Sequence, residues 1–185
     1  MLALAMKRTK FVTSLVAVAI PLLSLGCRDP AKPEANPTLI NGSFESGIEG
    51  WRLTASRPTL QSGMISGGGR NDSACLNLLV GPNQHYASAS QVVGVPQNAK
   101  LTVEAWAKAK ATDMIRFVAI EFRHQDSGGA AAHSEYVTNS FGWKKLTTEL
   151  QVPGGATEAY IFLNAMGKTG AAQFDDVKIS LSTRR

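Results

Sequence analysis

The chain has 185 residues and a formal charge of +5, with 44% hydrophobic and 18% charged residues. Such a composition excludes a disordered or fibrous protein and suits one domain with a real core. Three of the 19 basic residues, Lys7, Arg8 and Lys10, precede position 27 and none of the 14 acidic ones does, so the remainder carries about +2 and lends no support to a nucleic-acid partner.

Residues 1–26 have the layout of a secretory signal: a basic start, an apolar run from Phe11 to Leu25 broken by Pro21, and a small-residue end. The run is too short for a permanent membrane span. It closes in "LLSLGC", which resembles the lipobox of bacterial lipoproteins, with Ser24 where leucine is usual. That resemblance implies lipidation of Cys27, a membrane anchor, and an exported protein of the cell envelope. Arg28, rather than Asp, follows Cys27, which suggests the outer membrane. Residues 27–37 include "RDPAKPEANP", three prolines and four charges in ten positions, and read as an extended tether spanning at most about 30 Å. With Cys27 lipidated, Cys75 has no disulfide partner and is expected to be a small buried apolar group.

From 38 to 185 short alternating runs are separated by Gly, Pro, Asn and Ser, the texture of an all-β sandwich. In chain order the expected strands are "TLINGSFE", "WRLTA", "ACLNLLV", "SASQVVGV", "KLTVEAWAKA", "MIRFVAIEFRH", "SEYVTN", "WKKLTTELQV", "EAYIFLNAM" and "QFDDVKISL", with turns such as "SGGGRND" and "PGG" between them. About ten strands in one domain imply two facing sheets, arranged as a β-sandwich jelly roll. In "FDDVKISL" a strict period of two sets Asp175 on the same face as Val177, Ile179 and Leu181, with Asp176 opposite. A carboxylate at the edge of a core requires a cation or several donors.

Three stretches in order, "LINGSFESGIEGW", "SQVVGVPQNAKLTVEAWAKA" and "FGWKKLTTELQVPGGATEAYIFL" running into "FDDVKISL", together resemble carbohydrate-binding modules of the family 4 and 9 type. The resemblance covers nearly all of the chain after residue 38. It implies a jelly roll, a sugar-binding groove on the concave sheet and a structural calcium ion. Glu45 and Asp175 match the positions that supply carboxylates to that calcium, with backbone carbonyls near Gly42 and Ser43 completing the oxygen set. Tyr86 matches a stacking aromatic, whereas Trp106 and Trp143 match packing positions, and Trp51 is expected to close the end of the sandwich.

Alternation places Glu104, Trp106 and Lys108 opposite the core face of their strand, and likewise Phe117, Glu121 and Arg123, and Tyr160, Phe162 and Asn164. If these strands line one sheet, Trp106, Glu121, Arg123, Tyr160 and Asn164 join Tyr86 in a groove, aromatic faces packing on sugar C–H groups and polar groups meeting hydroxyls. Catalytic patterns are poorly supported: Glu104 and Glu121 could stand close enough on neighbouring strands for glycosidase chemistry, but nothing marks either as an acid. "MGKTG" fails as a phosphate loop because Phe162 stands where glycine is required, and His85, His124 and His133 lack metal-ligand spacing. No Gly-x-Ser-x-Gly elbow occurs. The expectation is therefore a non-catalytic envelope lipoprotein that binds a polysaccharide or other glycan. The alternative is the same sandwich acting as a structural protein that contacts another envelope protein.

Overall fold

The computed structural model describes residues 37–55, 62–83, 85–110, 114–122 and 129–183. The expected signal, the expected lipidation site Cys27, the expected tether up to residue 36, and Arg123 lie outside the described residues. Within them are ten strands: β1 (Arg52–Ala55), β2 (Gly63–Ile65), β3 (Cys75–Val80), β4 (Tyr86–Gly94), β5 (Ala99–Lys110), β6 (Met114–Glu121), β7 (Ala131–His133), β8 (Phe141–Gln151), β9 (Glu158–Gly167) and β10 (Gly170–Thr183). They form two antiparallel five-stranded sheets, ordered β1-β4-β9-β6-β7 and β2-β3-β10-β5-β8. This is a β-sandwich jelly roll, as expected.

The core follows from alternation. In β5 every second residue from Ala99 to Ala107 is fully buried, and across the sandwich so are Val118, Ile120, Ile161 and Leu163. Leu76, Leu78 and Phe174 complete the second sheet's inner face. Cys75 is a free, fully buried thiol, as expected. Burial first, and then the charge of Asp175, push it up to about 11, against an opposing effect of Lys108.

Three expectations about elements need correction. "TLINGSFE" is not a strand: residues 42–43 and 45–50 are turns, and Asn41 and Phe44 have positive φ of 50° and 59°. The Asn41 side chain accepts from Ser46 N–H and donates to Gly47 O, which closes the turn locally. Phe44 thereby drops into the sandwich end, fully buried and 5.4 Å from the Trp51 ring. Trp51 does close that end, with its indole N–H bonded to Asn41 O. "SEYVTN" holds only a bridge at Val137, and β7 pairs one turn earlier, through 131–133. β2 lies just before a stretch read as turn.

The third correction concerns β10. From Trp106 to Glu104 the partner strand β5 advances two residues, while β10 advances three, from Asp175 to Lys178. One extra residue is a β-bulge, with Asp176 at φ 49°. Parity flips there. Phe174 and Val177 both face the core, and Asp175, paired with Trp106, points to the outer face of the second sheet. The bulge also aims Val177 N–H at Gly42 O, 2.9 Å away. A Cβ on Gly42 would lie 2.2 Å from Val177 O, which explains the glycine in the "NGSFE" turn.

Candidate functional site

Parity within a strand identifies a face but not the sheet the strand joins. β6 and β9 are neighbours in the first sheet, whereas β5 lies in the second, between β10 and β8. Trp106 is therefore not a groove residue. The Arg70 guanidinium sits 3.8 Å over its ring, and Lys108 approaches Trp143 on the same outer face. That face is already occupied by its own cations.

Asp175 is buried beside Trp106, 1% exposed, and the glycine-rich segment read as a turn covers it. Its Oδ2 accepts from Arg70 N at 2.9 Å and from Ser73 Oγ at 2.8 Å, and its Oδ1 from Asp176 N at 2.7 Å. Gly69 must be glycine, since a Cβ would stand 2.5 Å from Ala74 O and 2.8 Å from Asp175 Oδ2. Arg70 also bonds Asp176 through its side chain at 2.6 Å. Glu45 reaches the other end of the same segment, accepting from Ala74 N at 3.0 Å. Glu45 and Asp175 thus both accept hydrogen bonds from residues 70–74. Among the described residues no three His, Cys, Asp or Glu side chains come together, so backbone carbonyls would supply the remaining oxygens of a calcium site. The Gly42 carbonyl accepts one bond from Val177 and has a second lone pair.

The outer face of the first sheet carries a cleft of about 580 Å³. The register sets its floor. Arg52 stands opposite Ser90, Ser90 opposite Phe162, and Phe162 opposite Ala119. One row over, Thr54 stands opposite Ser88 and Ser88 opposite Asn164, and on the other side Val92 opposite Tyr160 and Tyr160 opposite Glu121. Successive rows come from alternate residues, so these side chains share one face. Tyr160 and Phe162, two apart in β9, hold their rings 6.3 Å apart and nearly parallel at 16°. Tyr86 donates its hydroxyl to Asn164 Oδ1 at 3.0 Å, which fixes the tyrosine and accounts for an amide only 4% exposed. Ser88 Oγ, also in the cleft, is buried without a hydrogen-bond partner.

A shallower hollow of about 220 Å³, lined by Glu121 and Asn164, shares Tyr86 and Phe162 with the main cleft. Four expected groove residues, Tyr86, Glu121, Tyr160 and Asn164, thus lie together. Arg52, Ser88, Ser90 and Phe162 were missed. Phe162 was legible, since it alternates with Tyr160 and Asn164. The others depend on which strands flank β9, for which one strand's pattern holds no signal. The N-terminal segment forms one wall: Ile40 N donates to Gln91 Oε1 at 2.6 Å, and Gln91 Nε2 donates to Ile40 O at 2.9 Å.

No protein-family model matches the chain. Among curated proteins it is similar to the tRNA nuclease WapA of Bacillus subtilis (strain 168), 26% identical over 155 residues, which cover 76% of this chain and 7% of that protein. It is also similar to exochitinase 1 of Streptomyces olivaceoviridis, 24% identical over 175 residues, 94% of this chain and 27% of the exochitinase. The chain thus spans a small part of each relative. Among solved structures, the enzymatically active domain of bacteriophage CBA120 tailspike protein 4 superposes with a TM-score of 0.64 at 18% identity, covering 79% of this chain and 21% of that one. The carbohydrate-binding module TmCBM61, solved with β-1,4-galactotriose, gives 0.58 at 15%, covering 80% and 100%. The cyclase Fisc from Fischerella sp. TAU, solved with an indole compound, gives 0.57 at 13%, covering 82% and 100%. Modules of families 4, 16 and 22 share the fold as well. At such identities the likeness is one of fold.

The two adjacent aspartates should respond unequally to removal of charge. Asp175→Asn leaves one acceptor oxygen where two take three donors, so it should cost about 1–3 kcal/mol. Asp176→Asn touches a partly exposed ion pair with Arg70 and should cost under about 1 kcal/mol. Urea unfolding of both variants measures this, and equal losses would contradict the assignment.

Proposed function

We propose that this protein is a non-catalytic glycan-binding module of the family 4/9 type, and that the cleft over β4 and β9 is where a poly- or oligosaccharide lies. The observation that carries the reading is the near-parallel pair Tyr160 and Phe162 on a sheet face, with Tyr86 beside them and hydroxyl and amide groups around. Flat rings receive the C–H faces of a pyranose, while Ser88, Ser90, Asn164 and Glu121 meet its hydroxyls. Strands hold these side chains, so little ordering is needed on binding. The jelly-roll likeness to carbohydrate-binding modules supports the reading. A catalytic role has less support, because no carboxylate lines the main cleft and Glu121 is the only one lining the hollow beside it.

A glycan array probed with residues 38–185 tests the proposal. For any glycan bound, Tyr160→Ala and Phe162→Ala should each weaken affinity about tenfold or more, with melting temperature near wild type. Trp106→Ala should leave binding intact. Loss of binding in the Trp106 variant alone, or no binding to any glycan, would reject this cleft as the site.

We also propose a structural calcium ion where Glu45 and Asp175 converge, completed by carbonyls of Gly42 and Ser43. Its support is that both carboxylates reach the one segment 70–74, and oxygen atoms are what a hard cation takes. Bound only by the folded chain, calcium at a hundredfold excess over Kd should add about 2.7 kcal/mol of stability. Thermal unfolding in EDTA and in millimolar calcium reads this directly, and an indifferent melting temperature would reject the site.

The anchor completes the proposal: an exported lipoprotein held in the bacterial envelope, in the outer membrane, through Cys27. Each buried CH₂ of an acyl chain contributes about 0.8 kcal/mol, so Cys27→Ser should move the protein from the membrane to the soluble fraction. Unchanged partition on fractionation would reject lipidation.

A further inference from the structure

We infer that the cleft selects glycans bearing a carboxylate, a hexuronate unit seated between Phe162 and Arg52; this rests on the reading of the cleft as a glycan site. Arg52 is the only charged side chain among the residues lining the main cleft. It is exposed, and among the described residues it has neither a hydrogen bond nor an ion pair, whereas Arg70, Lys100, Lys144 and Lys145 each have a carboxylate partner. Glu121, on the same face, lines the shallow hollow that Phe162 and Tyr86 share with the cleft.

The register sets the span. Arg52, Ser90 and Phe162 form one row across three strands, so Arg52 and Phe162 are about 10 Å apart at the backbone, at ~4.8 Å per strand. A pyranose stacked on Phe162 with its C6 group directed over Ser90 places that group under the guanidinium. A neutral C6 hydroxymethyl would leave the guanidinium's fork of donors poorly matched, while a C6 carboxylate accepts two parallel N–H bonds. Ser88 Oγ supplies a second, independent pointer to a polar ligand at this spot. It is buried without a partner, one row from Ser90 on the same strand, and a ring hydroxyl of the stacked sugar would satisfy it.

The test is an array of matched pairs: glucuronate-, galacturonate- and mannuronate-containing oligosaccharides beside their carboxyl-reduced counterparts, probed with residues 38–185. At least one acidic member should bind about ten- to a hundredfold more tightly than its reduced counterpart. Arg52→Gln should remove that preference, so that the variant binds the acidic member and its reduced counterpart within about twofold of each other. Raising salt should weaken wild-type binding to the acidic member and barely affect the Arg52→Gln variant. Equal binding within every pair, or an acid preference that survives Arg52→Gln, would overturn the uronate assignment while leaving the cleft as a glycan site. Absence of binding across the whole array would overturn both.

Discussion

A carboxylate only 1% exposed is the constraint around which the outer face of the second sheet is arranged. Left without donors, Asp175 would cost several kcal/mol, and the chain meets that cost by folding Gly69–Ser73 over it. The consequences spread outward from there. Covering Asp175 brings Arg70 onto the Trp106 ring and against Asp176. The bulge that turns Asp175 outward gives Val177 back to the core and frees its N–H for Gly42. Through Gly42 the N-terminal turn is fixed, and with it Phe44 and Trp51 at the end of the sandwich. Segments more than a hundred residues apart in sequence are thus one structural unit.

The two outer faces treat their aromatic residues differently. On the second sheet, Trp106 lies beneath Arg70 and Trp143 beside Lys108, within a lattice of pairs that includes Glu104 with Lys145 and Lys100 with Glu149. Its rings are spoken for by charges of the same chain. On the first sheet, Tyr160 and Phe162 stack on each other and border an open cleft. Residue type alone does not tell these situations apart. What separates them is the neighbouring strand: β10 and its covering loop in one case, the serine-rich β4 in the other.

Much of this was legible in the sequence. Alternation identified the buried faces of β5, β6 and β9 correctly, because a half-buried strand has no other way to place its apolar residues. It set Tyr160 and Asn164 on one face with Phe162 between them. It could not show that β5 joins the opposite sheet, which is why Trp106 was grouped with residues it never meets. Nor could it show the bulge. One inserted residue reverses every face after it, and "FDDV" carries no mark of the insertion beyond the adjacent aspartates themselves. The "TLINGSFE" segment reads as one of the short apolar runs that make strands. Its fold instead follows from Asn41 and from positive φ at positions whose side chains do not advertise it.

The hydrogen-bonded pair between Ile40 and Gln91 links the point where the domain's chain begins to the wall of its cleft. A single side-chain amide, bonding both N–H and C=O of one residue, imitates a strand neighbour without extending the sheet. Leu39 packs against the core just before it. Any pull delivered from the N-terminal side is carried into the domain through these contacts, and they border the same cleft that Phe162 and Arg52 line. For a protein tethered at that end and holding a polymer in the cleft, load would run from one attachment to the other along a short path through β4 and β9. Most of the core, and the Asp175 assembly on the opposite sheet, would lie off that path. With the proposed anchor and the proposed glycan site, the two attachments would be set close together on the same side, as in a shackle.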